Sequence, residues 1–93
     1  MSRYTLTRER DGAGDSGLMC LALWVDAKTD EIQQEDDARP RIGVCMRVGS
    51  YHARTMQWQD WWQTSYIEEI LEDEPQRVRF KTGNSIYVWT KDE

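Results

Sequence analysis

The sequence predicts a mainly β chain, a small antiparallel sheet or half-open barrel of about five or six short strands, with an α+β arrangement left open. Three observations carry this. Residues 41–48 alternate Ile42, Val44, Met46 and Val48 against Arg41, Gly43, Cys45 and Arg47, and a period of two sets alternate side chains on opposite faces of a strand. Val78 and Phe80 alternate with Arg77, Arg79 and Lys81, then Ile86 and Val88 with Tyr87 and Trp89, on either side of Thr82-Gly83-Asn84. That is a β-hairpin with glycine in its turn. Leu18 to Val25 is a nearly continuous apolar run of the length of a buried strand, although periodicity alone leaves a helix open there.

The other elements follow in order. Tyr4 and Leu6 alternate with Thr5 and Thr7, which suits a short strand over residues 3–8. Asp11 to Gly17 holds three glycines and no large side chain, the composition of a connecting loop. Asp26 to Pro40 is rich in acids with Ile32 as its one large aliphatic residue, and reads as a solvated loop with room for one helical turn. Residues 49–62 are irregular and hold three of the five tryptophans. Thr64 to Leu71 is ambiguous: Ser65-Tyr66-Ile67-Glu68 fits a capping box and Ile67, Ile70 and Leu71 a helical face, whereas Tyr66 and Ile67 suit a strand. Pro75 closes the segment in either case. The polar pairs Thr64-Ser65 and Asn84-Ser85 are expected to satisfy backbone groups at strand ends.

Ninety-three residues make one domain, spanning 1–93. Hydrophobic residues at 39% and charged residues at 31% fit a folded globular chain. A net charge of −5, spread along the chain, gives no general attraction to phosphate backbones and favours a basic partner. There is no apolar run long enough to span a membrane and no secretory h-region at the start, so the expected location is the cytoplasm. Cys20 and Cys45 lie among apolar neighbours and are expected as reduced core residues.

The stretch Trp62-Gln63-Thr64-Ser65-Tyr66-Ile67, followed by Phe80-Lys81-Thr82-Gly83-Asn84-Ser85-Ile86-Tyr87, resembles a pattern of small uncharacterised proteins from phages and bacterial mobile elements. The likeness covers the last third of the chain and brings no activity with it. It implies that the Thr64 segment is one strand of a three-stranded meander, and that the chain comes from a phage or mobile element.

Motifs with chemical associations fail on context. Gly12-Ala13-Gly14-Asp15-Ser16-Gly17 matches the dinucleotide-binding glycine spacing, but a β-favouring run follows it and the chain is too short for a doubly wound sheet. Gly14-Asp15-Ser16-Gly17 shares four residues with the nucleophile segment of trypsin-like proteases. His52 is the sole histidine available for a triad with Ser16, and chance composition explains the match better. Asp26, Asp30, Glu35, Asp36 and Asp37 lack calcium-loop spacing, with Lys28 at the third position, and Cys20, Cys45 and His52 lack zinc spacing. No catalytic residue, metal site or cofactor is therefore assigned.

The informative cluster is aromatic. Trp58, Trp61 and Trp62, with Tyr51, Arg54 and Tyr66 nearby, are the expected partner-binding residues, because tryptophan, tyrosine and arginine dominate binding hot spots. The competing reading packs Trp58 and Trp62 on the sheet and leaves Trp61 over an edge. The expected function is a small acidic, non-enzymatic, protein-binding accessory factor, a phage or mobile-element protein that engages and inhibits a host defence complex. The alternative is a nucleic-acid or nucleotide-binding small barrel, with Arg47, Arg54, Arg77 and Arg79 as a basic strip beside stacking rings. A homodimer is compatible with either.

Overall fold

A computed structural model describes residues 2–50 and 61–92. These residues form nine strands and no helix: β1 (Arg3–Arg8), β2 (Gly14–Gly17), β3 (Met19–Val25), β4 (Ile32–Asp36), β5 (Cys45–Gly49), β6 (Trp61–Gln63), β7 (Ile67–Glu74), β8 (Arg77–Thr82) and β9 (Ile86–Asp92). They make two antiparallel sheets, ordered β2-β1-β9-β8-β7 and β4-β3-β5-β6, which are not closed into a barrel.

Two stretches of chain cross between the sheets. Leu18 alone separates β2 from β3. Thr64–Tyr66 joins β6 to β7 and keeps bonding to the β5 side as it crosses: Thr64 N–H donates to the Met46 carbonyl, Ile67 N–H to Val44 and Gly43 N–H to Ile67, each at 2.9 Å. Nine strands stand where about five or six were expected, because the glycine-rich segment expected as a loop ends in β2, which pairs with β1, the acid-rich one contains β4, and the irregular stretch ends in β6. Gly17 marks the first corner, where an added Cβ would overlap the Gly49 carbonyl.

The core lies between the sheets. Tyr4 and Leu6 of β1, Val78 and Phe80 of β8, and Tyr87 and Trp89 of β9 meet Cys20, Ala22, Met46 and Val48 from β3 and β5. Trp89 is the largest fully buried side chain among the described residues. Its indole N–H donates to Cys20 Sγ at 3.4 Å, and the Cys20 thiol donates to the Ala38 carbonyl at 3.2 Å, so the polar edge of a large ring is satisfied inside an apolar core. Both cysteines are free and buried, as their neighbours predict.

Two further local readings are corrected, and one that the sequence leaves open is decided. The acid-rich segment is not all loop: Asp26 Oδ1 accepts from Lys28 N–H, Asp30 adopts φ 60°, and the chain returns as β4 paired with β3 from Val25↔Ile32 to Leu21↔Asp36. An edge strand needs backbone pairing more than burial, so its low hydrophobicity disguised it. Residues 41–44 are not strand. Gly43 at φ 94° breaks the alternation and leaves Ile42 65% exposed. Residues 67–74 are strand rather than helix, and β7, β8 and β9 form the meander that the resemblance implied. The helix-like spacing of Ile67 and Ile70 arises from register shifts between Ile67 and Glu69 and between Ile70 and Glu72, since each bulge adds a residue to the alternation.

Candidate functional site

Alternation along the four-stranded sheet gives it one face on the core and one outward. Cys20 and Ala22 point inward, while Met19, Leu21, Leu23 and Val25 share the outer face with Cys45 and Arg47 of β5, Trp61 and Gln63 of β6 and Ile32 of β4. Burial falls along β3: Met19 and Leu21 are buried, Leu23 is half-buried and Val25 is 44% exposed. Its partner Ile32 is 74% exposed, and Tyr66, on the corner after β6, is 49% exposed. A cavity of about 180 Å³ is lined by Leu23, Trp24, Val25, Ile32, Cys45, Arg47, Gln63 and Tyr66. Its lining spans all four strands of the sheet.

Arg47 is fixed at the border of this ground. Its Nε and Nη2 donate to Gln63 Oε1 at 3.0 and 2.7 Å, and its guanidinium carbon lies 4.0 Å from the centre of the Trp61 ring. The cross-strand pairs Arg47↔Gln63 and Gly49↔Trp61 explain the geometry: opposite the side-chain-free Gly49, Trp61 leaves room for Arg47 to lie diagonally on it. Every described tryptophan carries an arginine in this way, with Arg8 at 5.0 Å from Trp62, Arg39 at 5.5 Å from Trp89 and Arg41 at 4.9 Å from Trp24. Trp62, Trp89 and Trp24 belong to the core or pack against it, so those arginines cap the rim between the sheets. Arg47 on Trp61 is the pair on the outer face.

The expected site residues are thus divided. Trp61 and Tyr66 reach the outer side of the sheet. Trp62 lies on the opposite face of β6, packed against the core. Tyr51, Arg54 and Trp58 lie outside the described residues. The expected basic strip does not assemble: Arg77 and Arg79 lie on the outer face of the other sheet, where Arg79 donates to both oxygens of Glu9 at 2.7 and 3.0 Å and Arg77 pairs with Glu72 at 3.1 Å. The hydrogen bonds from Arg79 hold the Glu9 carboxyl below its usual pKa. Val25 and Ile32 escaped the sequence reading, although a lone isoleucine amid acids was a signal.

Other features have structural partners. Ser16 Oγ accepts from Arg3 at 3.3 Å, Asp37 accepts from the Tyr4 hydroxyl at 2.9 Å, and Glu35 pairs with Arg41 at 3.0 Å. Among the described residues no group of three or more His, Cys, Asp or Glu is placed to hold a metal ion, and no helix is long and apolar enough to cross a membrane. A larger open groove of about 480 Å³ runs past the β8–β9 turn between Glu9, Arg10, Lys81 and Asn84. Its charges are mixed and it contains no aromatic ring, so it lacks the hot-spot chemistry of the sheet face. Compared with known proteins, the chain matches no family model, no curated protein and no solved structure.

Proposed function

We propose that this chain is a small acidic protein-binding accessory factor without catalytic activity, and that its partner seats on the outer face of the four-stranded sheet. The observation that carries this is the exposed apolar ground of Val25, Ile32 and Tyr66 beside an immobilised Arg47–Trp61 pair. Apolar residues flanked by ordered tryptophan and arginine are the composition of a binding hot spot. The net charge of −5 favours a basic partner surface. The likeness of the last third to phage and mobile-element proteins supports a host complex, such as a defence complex, as the partner. Nucleic acid is the weaker reading, because Arg47 is separated from Arg77 and Arg79 and already covers one face of Trp61 against a stacking base.

The test is recovery of a host protein by the tagged chain, compared with an Ile32→Asp/Tyr66→Ala variant and with a Thr5→Arg variant on the other sheet. Recovery lost in the first and kept in the second supports the reading. Recovery indifferent to Ile32 and Tyr66 overturns it.

A further inference from the structure

Each open sheet has two edge strands, and an unprotected edge presents backbone groups to any extended chain. Three of the four edges here are protected. β7 carries two register shifts that interrupt its edge. β2 is four residues long and turns at Gly17 against the backbone of Gly49. β6 has three residues before the chain turns away at Thr64. β4 differs. Its five residues keep an unbroken register with β3, and they contain no proline, glycine or lysine. Among the described residues it pairs with β3 alone, and all its side chains are exposed except the half-buried Gln33.

The charge at this edge selects what can join it. Asp30, Glu31, Glu35, Asp36 and Asp37 lie in or beside β4, with Arg41 bonded to Glu35 as a neighbouring cation. A second copy of this chain would bring the same acids to the same edge and be repelled. A basic strand would meet opposite charge. Its apolar side chains would also extend the ground already formed by Val25 and Ile32.

We propose that the free edge of β4 takes up an extended basic segment of the partner by strand addition, with cationic side chains against Glu31 and Glu35 on one face and apolar ones beside Ile32 on the other. This rests on the reading of the outer sheet face as a protein-binding surface, and it names the mode and chemistry of recognition. Main-chain bonds along β4 supply the pairing, and the acids set the partner's sign.

The experiment uses the full chain and an octapeptide of alternating valine and lysine. Binding should weaken by at least about tenfold when every peptide amide is N-methylated, and similarly in a Glu31→Lys/Glu35→Lys variant, whose changes are both exposed. Slowed amide exchange should centre on residues 32–36. Equal binding of the N-methylated peptide, protection elsewhere on the chain, or no binding at all would overturn strand addition. If the peptide fails while host-protein recovery still depends on Ile32 and Tyr66, the edge inference falls and the face stands. If that recovery is indifferent to both residues, the face itself is lost.

Discussion

The side-chain amide of Asn84 donates to the hydroxyl of Ser65 at 2.8 Å, tying the turn of the β8–β9 hairpin to the corner between β6 and β7. Its neighbours extend the clamp. Thr64 Oγ1 accepts from the Met46 N–H at 3.1 Å and donates to the Ser65 carbonyl at 2.7 Å. Thr82 Oγ1 accepts from the N–H groups of Asn84 and Ser85, each at 3.2 Å. Phe80 and Tyr87 stack with centroids 5.6 Å apart. The Thr-Ser and Thr-x-Asn-Ser elements of the last third therefore have a fold-making role, holding a hairpin turn against the place where the chain changes sheets.

Removing either partner should lower stability modestly, since the bond is exposed. Asn84→Ala and Ser65→Ala are each expected to cost about 0.5–1.5 kcal/mol, and the double variant less than their sum. Urea unfolding of the four proteins checks this. Strict additivity would show that the bond does not couple the two sites.

Gly17→Ala should be far more damaging than its one added methyl suggests. The new Cβ would meet the carbonyl of Gly49, a backbone group that cannot rotate away, and overpacking of this kind costs about 1–3 kcal/mol or more. Gly83→Ala is the control, because its Cβ would meet ordinary van der Waals distances to Glu68. Equal thermal midpoints for the two variants would refute the close approach at the corner.

What the sequence could reveal depended on whether alternation ran unbroken. β1, β3, β8 and β9 were legible because each buries at least one face over most of its length, and the apolar setting of Cys20 and Cys45 predicted their burial. β7 imitated a helix because its bulges shift the inward positions by an extra residue. β4 was hidden because backbone pairing at an edge leaves little hydrophobic pattern. At the site, aromatic composition led to Trp61 and Tyr66, but the side of the sheet on which each tryptophan falls depends on register with β5. That is a long-range property, and it separated Trp61 from Trp62 and Arg47 from Arg77 and Arg79.

The fold should weaken in alkali. Burial and the hydrogen bond to Asp37 raise the Tyr4 phenol to about 12, and burial raises the Cys20 thiol to about 11. Both exceed their unfolded values of 10.0 and 9.0, so the stability they contribute is complete below pH 9 and is lost as pH rises towards 12. Urea midpoints should fall across that window, and Tyr4→Phe should flatten the upper part of the decline. A constant midpoint from pH 9 to 12 would contradict the burial of these groups. At the acid end, the Arg8 hydrogen bonds and the Ala13 N–H lower Asp11 to about 2. Its small, solvent-screened contribution should disappear as pH drops from 3.8 towards 2.

Arg8 and Arg47 make the same kind of contact with adjacent tryptophans, yet their substitutions should separate stability from binding. Arg8 caps Trp62 at the core rim and also pairs with Asp11, so Arg8→Ala removes an ion pair, a ring contact and the cover of a core-packed side chain. Arg47 lies on the outer sheet face, where its bonds to Gln63 and Trp61 are solvent-accessible, and Arg47→Ala is expected to cost no more than about 0.5–1 kcal/mol. Arg8→Ala should therefore lower the thermal midpoint more and leave partner recovery per folded molecule unchanged. Arg47→Ala should fold nearly as well as the parent and recover less partner, because the charge and the ring it orders sit where the partner would dock. Recovery reduced by Arg8→Ala and untouched by Arg47→Ala would move the interface from the sheet face to the rim between the sheets.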